Sequence, residues 1–302
     1  MDGRTTLMAL CILTVSFQVL GALANGKAQQ LQVPPPAIFV FGDGAVDVGN
    51  NNYLEANDAS EPVQANHPFY DIDFPNSKAT GRFSNGYNLA DFIATKSQMK
   101  TKLGNSELKK LLSNSIFLLD IGAIDIFYIW NRQFYTMDDN ETNIPNLITS
   151  YGVGITALYN MGARKFVVIN APPMGSAPVM AHLTGETWNM LAMEFNDGLK
   201  SLLTSLTLKL NGLHYSIADF YGFSNATFMN PSAARFVDTV RACCKGSCTP
   251  KGGSPCQNRK QYWFWDDLYI TEQAAKLAAA AFYDGPAQFT VPINFKKLVQ
   301  GK

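Results

Sequence analysis

The sequence has no excess of either charge, because 24 Lys and Arg residues balance 24 Asp and Glu residues over 302 positions. Domains that bind nucleic acid usually carry a basic stripe, and the chain shows none. Beyond the N-terminus it also has no apolar run of the ~20 residues needed to span a bilayer. The composition therefore favours neither a nucleic-acid partner nor a membrane anchor in the mature chain. It does not indicate the oligomeric state.

Residues that bind metals are scarce. The chain has three histidines and five cysteines, and one of these, Cys11, lies in the N-terminal segment. The other four fall in one window: Cys243, Cys244, Cys248 and Cys256. Zinc sites usually pair cysteines as C-x-x-C with histidines nearby, and this window has neither feature. An even number of cysteines in a secreted chain instead favours two disulfides, whose connectivity stays open. We predict no metal and no cofactor.

The N-terminus has the pattern of a cleaved secretory signal over residues 1–24. Arg4 precedes an apolar run over 7–23, which ends in an A-x-A cleavage pattern at Ala22 to Ala24. A membrane anchor is the alternative, but the run is short and interrupted by polar residues. Two glycosylation sequons follow, at Asn140 and Asn225. The sequence thus predicts a secreted, extracellular glycoprotein.

Strand and helix patterns alternate after a polar, Pro-rich lead-in over 25–36. Apolar runs predict strands over 37–41, 116–121, 165–170 and 214–218. Apolar periodicity predicts helices over 87–95, 108–112, 147–158, 191–210 and 273–283. This alternation predicts a single domain over 37–298, an α/β protein with a mainly parallel sheet. The first strand is expected to be covered on both faces, since its run is continuously apolar.

Functional sites in such sheets lie at the carboxyl ends of the strands. Residues 42–52, 122–125 and 171–178 occupy those positions after the first three strands. The first of these segments offers glycine, Gly44, where a nucleophile could sit; read alone, this residue is an ordinary turn glycine.

Five motifs in order resemble the plant GDSL esterase/lipase family of the SGNH hydrolases. They are FGDGAVDVGNNNYL at 41–54, TGRFSNGYNLADFIA at 80–94, IFLLDIGAID at 116–125, YNMGAR at 159–164 and WDDLYITE at 265–272. The resemblance covers about residues 36–296. It implies a flavodoxin-like, three-layer α/β/α sandwich, a plant origin and location in the apoplast or cell wall. It also implies hydrolysis of acyl esters by a serine, a histidine and an aspartate.

The catalytic positions of the family are mostly changed in this chain. The resemblance places Gly44 at the nucleophile position, Ile124 at the oxyanion asparagine, Tyr269 at the general base and Asp266 at the retained triad acid. The glycine of the second family block has no counterpart, because the middle of the chain, about 95–115, is shortened. The sequence therefore predicts a protein that is an ester hydrolase by descent and has lost serine-type catalysis.

Several alternatives stay open. A weakly active esterase could use a substitute residue, with Asp43 the nearest carboxylate, or the chain could be the product of a degraded or mis-spliced gene. The histidines at 67, 182 and 214 match no general-base position, and Asp266 is expected to be a helix-start or surface carboxylate. A retained cleft would bind a lipid, an acyl ester or an acylated glycan.

Overall fold

The computed structural model describes residues 35–54, 63–94, 105–135, 143–180, 185–246, 248–249 and 251–301. The predicted signal, the sequon at Asn140, His182 and residues 95–104 of the shortened middle lie outside these ranges. All described residues belong to one compact unit, which runs from Pro34 to Lys302. None of the described helices is long and apolar enough to cross a membrane.

The described elements follow the predicted alternation. The strands are β1 (Ile38–Gly42), β2 (Ile116–Asp120), β3 (Lys165–Ile169), β4 (His214–Ala218), β5 (Asp238–Ala242), β6 (Tyr262–Phe264) and β7 (Thr290–Val291). The helices are α1 (Leu89–Ala94), α2 (Asn105–Asn114), α3 (Ala123–Tyr135), α4 (Ile144–Met161), α5 (Gly185–Lys209), α6 (Phe220–Met229), α7 (Glu272–Asp284) and α8 (Phe295–Gln300). The four predicted strands are confirmed as β1 to β4.

The main sheet has the strand order β1-β2-β3-β4-β7. Its first four strands run parallel, and β7 joins β4 in the antiparallel direction. The register places Gly42, the last residue of β1, opposite Asp120, the last residue of β2. Consequently the segments that leave these two strands begin side by side at the carboxyl end of the sheet.

Helices form layers on both faces of the sheet, as the predicted three-layer sandwich requires. Helices α3, α4 and α5 pack together, and α1, α7 and α8 form a second group. The helix ends carry the expected signals. The Thr271 side chain accepts a hydrogen bond from the N–H of Ala274 at the start of α7. Helix α4 ends at Gly162, whose φ of 125° suits glycine.

The expectation that the first strand is covered on both faces is wrong. β1 lies at the edge of the sheet, and β2 is its only partner among the described residues. Val40 is 36% exposed and Phe41 is 40% exposed. Because successive side chains of a strand point to opposite faces, both faces of β1 are partly uncovered. The inner strands β2 and β3 are instead almost fully buried.

A small second sheet holds the segment that carries the last motif. Strands β5 and β6 pair in parallel, and two disulfides, Cys243–Cys256 and Cys244–Cys248, join the loop after β5. The structure thus settles the connectivity that the sequence left open. Trp265, just after β6, is fully buried against these cysteines. The turn that follows Trp265 contains Asp266 and Tyr269, so this braced unit fixes their position.

Candidate functional site

A cavity of about 190 Å³ opens at the carboxyl ends of the first three strands. The segments after β1, β2 and β3 all contribute to its wall, as the sheet topology predicts. Most of the lining is apolar. It includes Phe83, Leu89, Phe127, Met174, Met180, Phe220, Phe228, Trp263 and Phe264. Ile124 and Leu268 also line the cavity and are 38% and 47% exposed, so its mouth is apolar as well.

Gly44 and Tyr269, which come from opposite ends of the domain, meet at this cavity. A Cβ atom on residue 44 would lie 2.2 Å from the Oη atom of Tyr269 and 2.7 Å from its Cζ atom. Tyr269 is held in place by Phe83, with the two ring centroids 4.8 Å apart. The phenol therefore occupies the space that a side chain at position 44 would need.

Asp266 holds the turn that carries Tyr269. Its Oδ1 atom accepts hydrogen bonds from the backbone N–H groups of Leu268, at 2.9 Å, and Tyr269, at 2.7 Å. Its Oδ2 atom accepts one from the hydroxyl of Tyr70, also at 2.9 Å. The expectation of a helix-start or surface carboxylate is wrong, because Asp266 is 7% exposed and α7 begins later, after Thr271. The Asp266 carboxylate thus supports the turn after Trp265 and holds the Tyr70 hydroxyl.

The protonation states of these groups do not suit general-base catalysis. Burial, together with the charges of Asp43 and Asp266, raises the pKa of Tyr269 above its ordinary value of 10.0. Burial also raises the pKa of Asp266, outweighing the hydrogen bonds that favour its charged form. At neutral pH Tyr269 is thus a neutral phenol, which cannot take a proton from a nucleophile.

Ile124 lies in the first turn of α3, at the position that the resemblance assigns to the oxyanion asparagine. Its side chain has no hydrogen-bond donor. The nearby Asp43 carboxylate accepts a hydrogen bond from the backbone N–H of Ala45, at 3.2 Å. The backbone N–H of Ile124 also favours the charged form of Asp43 and so acts to lower its pKa, although burial raises that pKa overall.

Asp120 is a cavity residue that the sequence analysis did not identify. It ends β2, lies on the cavity wall beside Asp43 and forms no side-chain hydrogen bond or ion pair with the described residues. Burial raises the pKa of both carboxyl groups, and the charge of Asp43 raises that of Asp120 further. The available signal was a single carboxylate in an otherwise apolar strand, at the end where sites form.

The asparagine-rich loop after β1 is held by Asp47. The Oδ1 atom of this buried carboxylate accepts hydrogen bonds from the N–H groups of Gly49, at 2.8 Å, and Asn50, at 2.6 Å. Its Oδ2 atom accepts one from Asn51 at 3.3 Å. A second carboxylate braces the motif at 80–94, where Arg82 donates two hydrogen bonds to Asp91, at 2.7 and 2.8 Å. These polar residues support the loops around the cavity.

The remaining candidates lie away from the catalytic positions. His214 is exposed at the start of β4, and the ring of His67 packs edge-on against Tyr70. Asn225 lies within helix α6, and the sequon's Thr227 hydroxyl donates to the backbone oxygen of Phe223. Among the described residues, no three His, Cys, Asp or Glu side chains gather into a metal site.

Comparisons with known proteins agree with this architecture. The family described as GDSL-like lipase/acylhydrolase matches residues 38–282. The chain is 29% identical to GDSL esterase/lipase At5g22810 of Arabidopsis thaliana, over 87% of this chain and 91% of that protein. It is 27% identical to GDSL esterase/lipase 7 of the same plant, over 97% and 99% of the two chains. With the Arabidopsis GDSL esterase/lipase APG it shares 27% identity over 89% and 96%.

These alignments are longer than the chain itself. They extend over 339 and 372 positions for the first two relatives, against 302 residues here. The relatives therefore have residues at positions where this chain has none. The family match nevertheless spans most of the chain and every described element of the main sheet except β7. The chain belongs to the GDSL-like lipase/acylhydrolase family.

Proposed function

We propose that this protein is secreted, that it is an ester hydrolase by descent, and that it binds an apolar ligand without hydrolysing it. The observation that carries the proposal is the Tyr269 phenol, which fills the space above Gly44. A serine nucleophile and a histidine base must lie within hydrogen-bond reach of each other. Here the first position has no side chain, and the second has a neutral phenol.

The expected loss of activity is large. Removing the serine or the histidine of a catalytic triad costs about a millionfold in kcat, and removing an oxyanion donor costs about 10² to 10³. These losses do not add, because the residues act as a unit. With Gly44, Ile124 and Tyr269 together, we expect no esterase turnover above that of buffer.

The cavity supports the binding half of the proposal. Its volume of about 190 Å³ exceeds the ~150 Å³ of an apolar cavity that binds benzene. Aromatic and aliphatic side chains line it from the mouth to the buried Trp263. Such a wall suits the hydrocarbon part of a lipid, an acyl ester or an acylated glycan.

Secretion is supported by two features of the chain. The N-terminus has the pattern of a cleaved signal, and the structure forms two disulfides, which persist in oxidising compartments. We also propose that the residues absent relative to the relatives belong between α1 and α2. The open edge of β1 supports this placement, since an additional strand there would cover Val40 and Phe41.

Hydrolysis of p-nitrophenyl butyrate by the purified protein tests the proposal that it does not hydrolyse esters. It is measured beside a Gly44→Ser, Ile124→Asn, Tyr269→His variant, with circular dichroism on every protein. The matched control carries Gly44→Ala with the same two other changes, so that it has a side chain at position 44 but no nucleophile. We expect the natural protein to be folded and inert. Greater turnover by the serine variant than by the alanine variant would locate the loss of chemistry at this site.

Clear turnover by the natural protein would contradict the proposal and make Asp43 the first residue to test as a substitute nucleophile. If the natural protein is inert and unfolded, the shortened middle becomes the cause. Sequencing the transcript would then show whether the gap arises from splicing.

A further inference from the structure

We infer that the cavity selects a ligand that joins an apolar body to a protonated amine, with the carboxylates of Asp43 and Asp120 as the groups that pair with the amine. This inference rests on the proposed binding function and adds the chemical class of the ligand.

The two carboxylates start from adjacent points on the sheet. Asp43 follows Gly42, which lies opposite Asp120 in the register of β1 and β2. The backbone N–H of Asp43 also donates to the backbone oxygen of Asp120, at 3.3 Å. Both side chains line the cavity. An amine that reached this end of the cavity would therefore meet two carboxylates.

Asp120 is the residue that lacks a partner. It is partly buried, and it lies on the cavity wall. Asp43 accepts a hydrogen bond from the backbone N–H of Ala45, but no described side chain or backbone group donates to the Asp120 carboxylate. Buried carboxylates are normally paired or hydrogen-bonded, so Asp120 has unused capacity to accept hydrogen bonds from a ligand.

The part of the cavity wall that the structure describes carries no cationic side chain. Among the described residues that line it there is no Lys, Arg or His, whereas Asp43 and Asp120 are both present. Burial raises the pKa of both groups; the charge of Asp125 raises that of Asp43 further, and the charge of Asp43 raises that of Asp120 further. A positive charge within about 4–6 Å has the opposite effect and stabilises the carboxylate. A bound ammonium group would thus supply both the missing charge and the missing donors.

The same arrangement disfavours the other classes of lipid. The anionic head of a fatty acid would repel the two carboxylates in a medium of low dielectric constant, where charges interact strongly. An alcohol offers one neutral donor and leaves the charge uncompensated. The apolar walls, including Phe220, Phe228 and Trp263, bury the hydrocarbon body equally in each case. The head group therefore decides which ligand binds.

Octylamine, octanol and octanoate, which share one chain length, test the inference at pH 7. Binding is followed by tryptophan fluorescence, since Trp263 lies in the cavity wall, and by calorimetry. We expect octylamine to bind at least tenfold more tightly than octanol, and octanoate to bind least. Asp120→Asn should reduce octylamine to the affinity of octanol without weakening octanol. The matched control is Asp125→Asn, an exposed acid near Asp43 that does not line the cavity, and it should keep the preference.

The outcomes separate this inference from the function on which it rests. If none of the three probes binds, the proposed binding function fails, and this inference fails with it. If all three bind with equal affinity, the cavity binds apolar ligands and the inference about the amine is overturned. Should Asp120→Asn not fold, the comparison of octylamine with octanol on the natural protein still decides the question. A preference for octylamine that survives in folded Asp120→Asn would also overturn the assignment.

Discussion

Replacing Gly44 with serine places a side chain where the Tyr269 phenol already lies. The new Cβ atom would be 2.2 Å from Oη, so the ring must move away and lose its packing against Phe83, which is 4.8 Å away between centroids. Inserting atoms into a well-packed site costs about 1–3 kcal/mol. Replacing glycine also reduces the conformational entropy of the unfolded chain, which stabilises the folded state by about 0.4–1 kcal/mol. We therefore expect Gly44→Ser alone to lower the free energy of unfolding by about 1–2 kcal/mol.

Thermal and urea unfolding measure this change. For a domain of this size each kcal/mol corresponds to about 2–4 °C in Tm. In a Tyr269→Ala background the phenol is absent, so Gly44→Ser should hardly change the free energy of unfolding. The double-mutant cycle should therefore give a coupling energy of about 1–3 kcal/mol. Gly154→Ser is the control, because a Cβ there meets nothing within 4 Å. If Gly44→Ser is as stable as the natural protein, or if the two changes are additive, the steric argument is wrong.

Three further substitutions test polar contacts of the described fold. Arg259 donates to Asp73 at 2.6 and 2.7 Å, and although burial raises the pKa of Asp73, these bonds lower it overall. The pair should therefore contribute stability above pH ~4 that is lost as pH falls through the lowered pKa. Arg259→Ala should lower the free energy of unfolding by about 1 kcal/mol at pH 7 and by progressively less in acid. Urea unfolding at several pH values measures this difference, and a difference that does not change with pH would argue against the pair's role. Tyr70→Phe removes a donor from the buried Asp266 and should cost about 1–3 kcal/mol in thermal unfolding, whereas unchanged stability would mean that water replaces the hydroxyl. Asp47→Ala should cost a similar amount and increase hydrogen exchange at the backbone amides of the loop after β1, and unchanged exchange would contradict its supporting role.

Local pattern was enough to predict most of the sheet. The apolar runs that became β1 to β4 and the cap at Thr271 are short-range features, and the structure confirms them. The covering of β1 was not predictable in this way, because exposure depends on which strands lie beside it. A continuously apolar run is typical of an inner strand, yet this one lies at the edge.

The candidate site also depends on contacts between residues distant in sequence, which local pattern does not predict. The family resemblance predicts that Gly44, Ile124 and Tyr269 are altered positions, but it does not predict that the phenol fills the space above the glycine. The burial of Asp266 depends on Tyr70, which is 196 positions away in the chain, and no local pattern indicates such a contact. Asp120 was visible as an exception in an apolar run, and only the fold shows that it lines the cavity.

The contact between Gly44 and Tyr269 also bears on how a serine could arise at position 44, the nucleophile position under the proposed function. A single mutation from glycine to serine meets the phenol before it meets any substrate, so it brings a loss of stability and no gain in chemistry. Under the proposed function, a serine at position 44 gains chemistry only when Tyr269 and Ile124 have also changed, and none of these changes restores activity alone. The ring of Tyr269 thus opposes the return of any side chain at position 44.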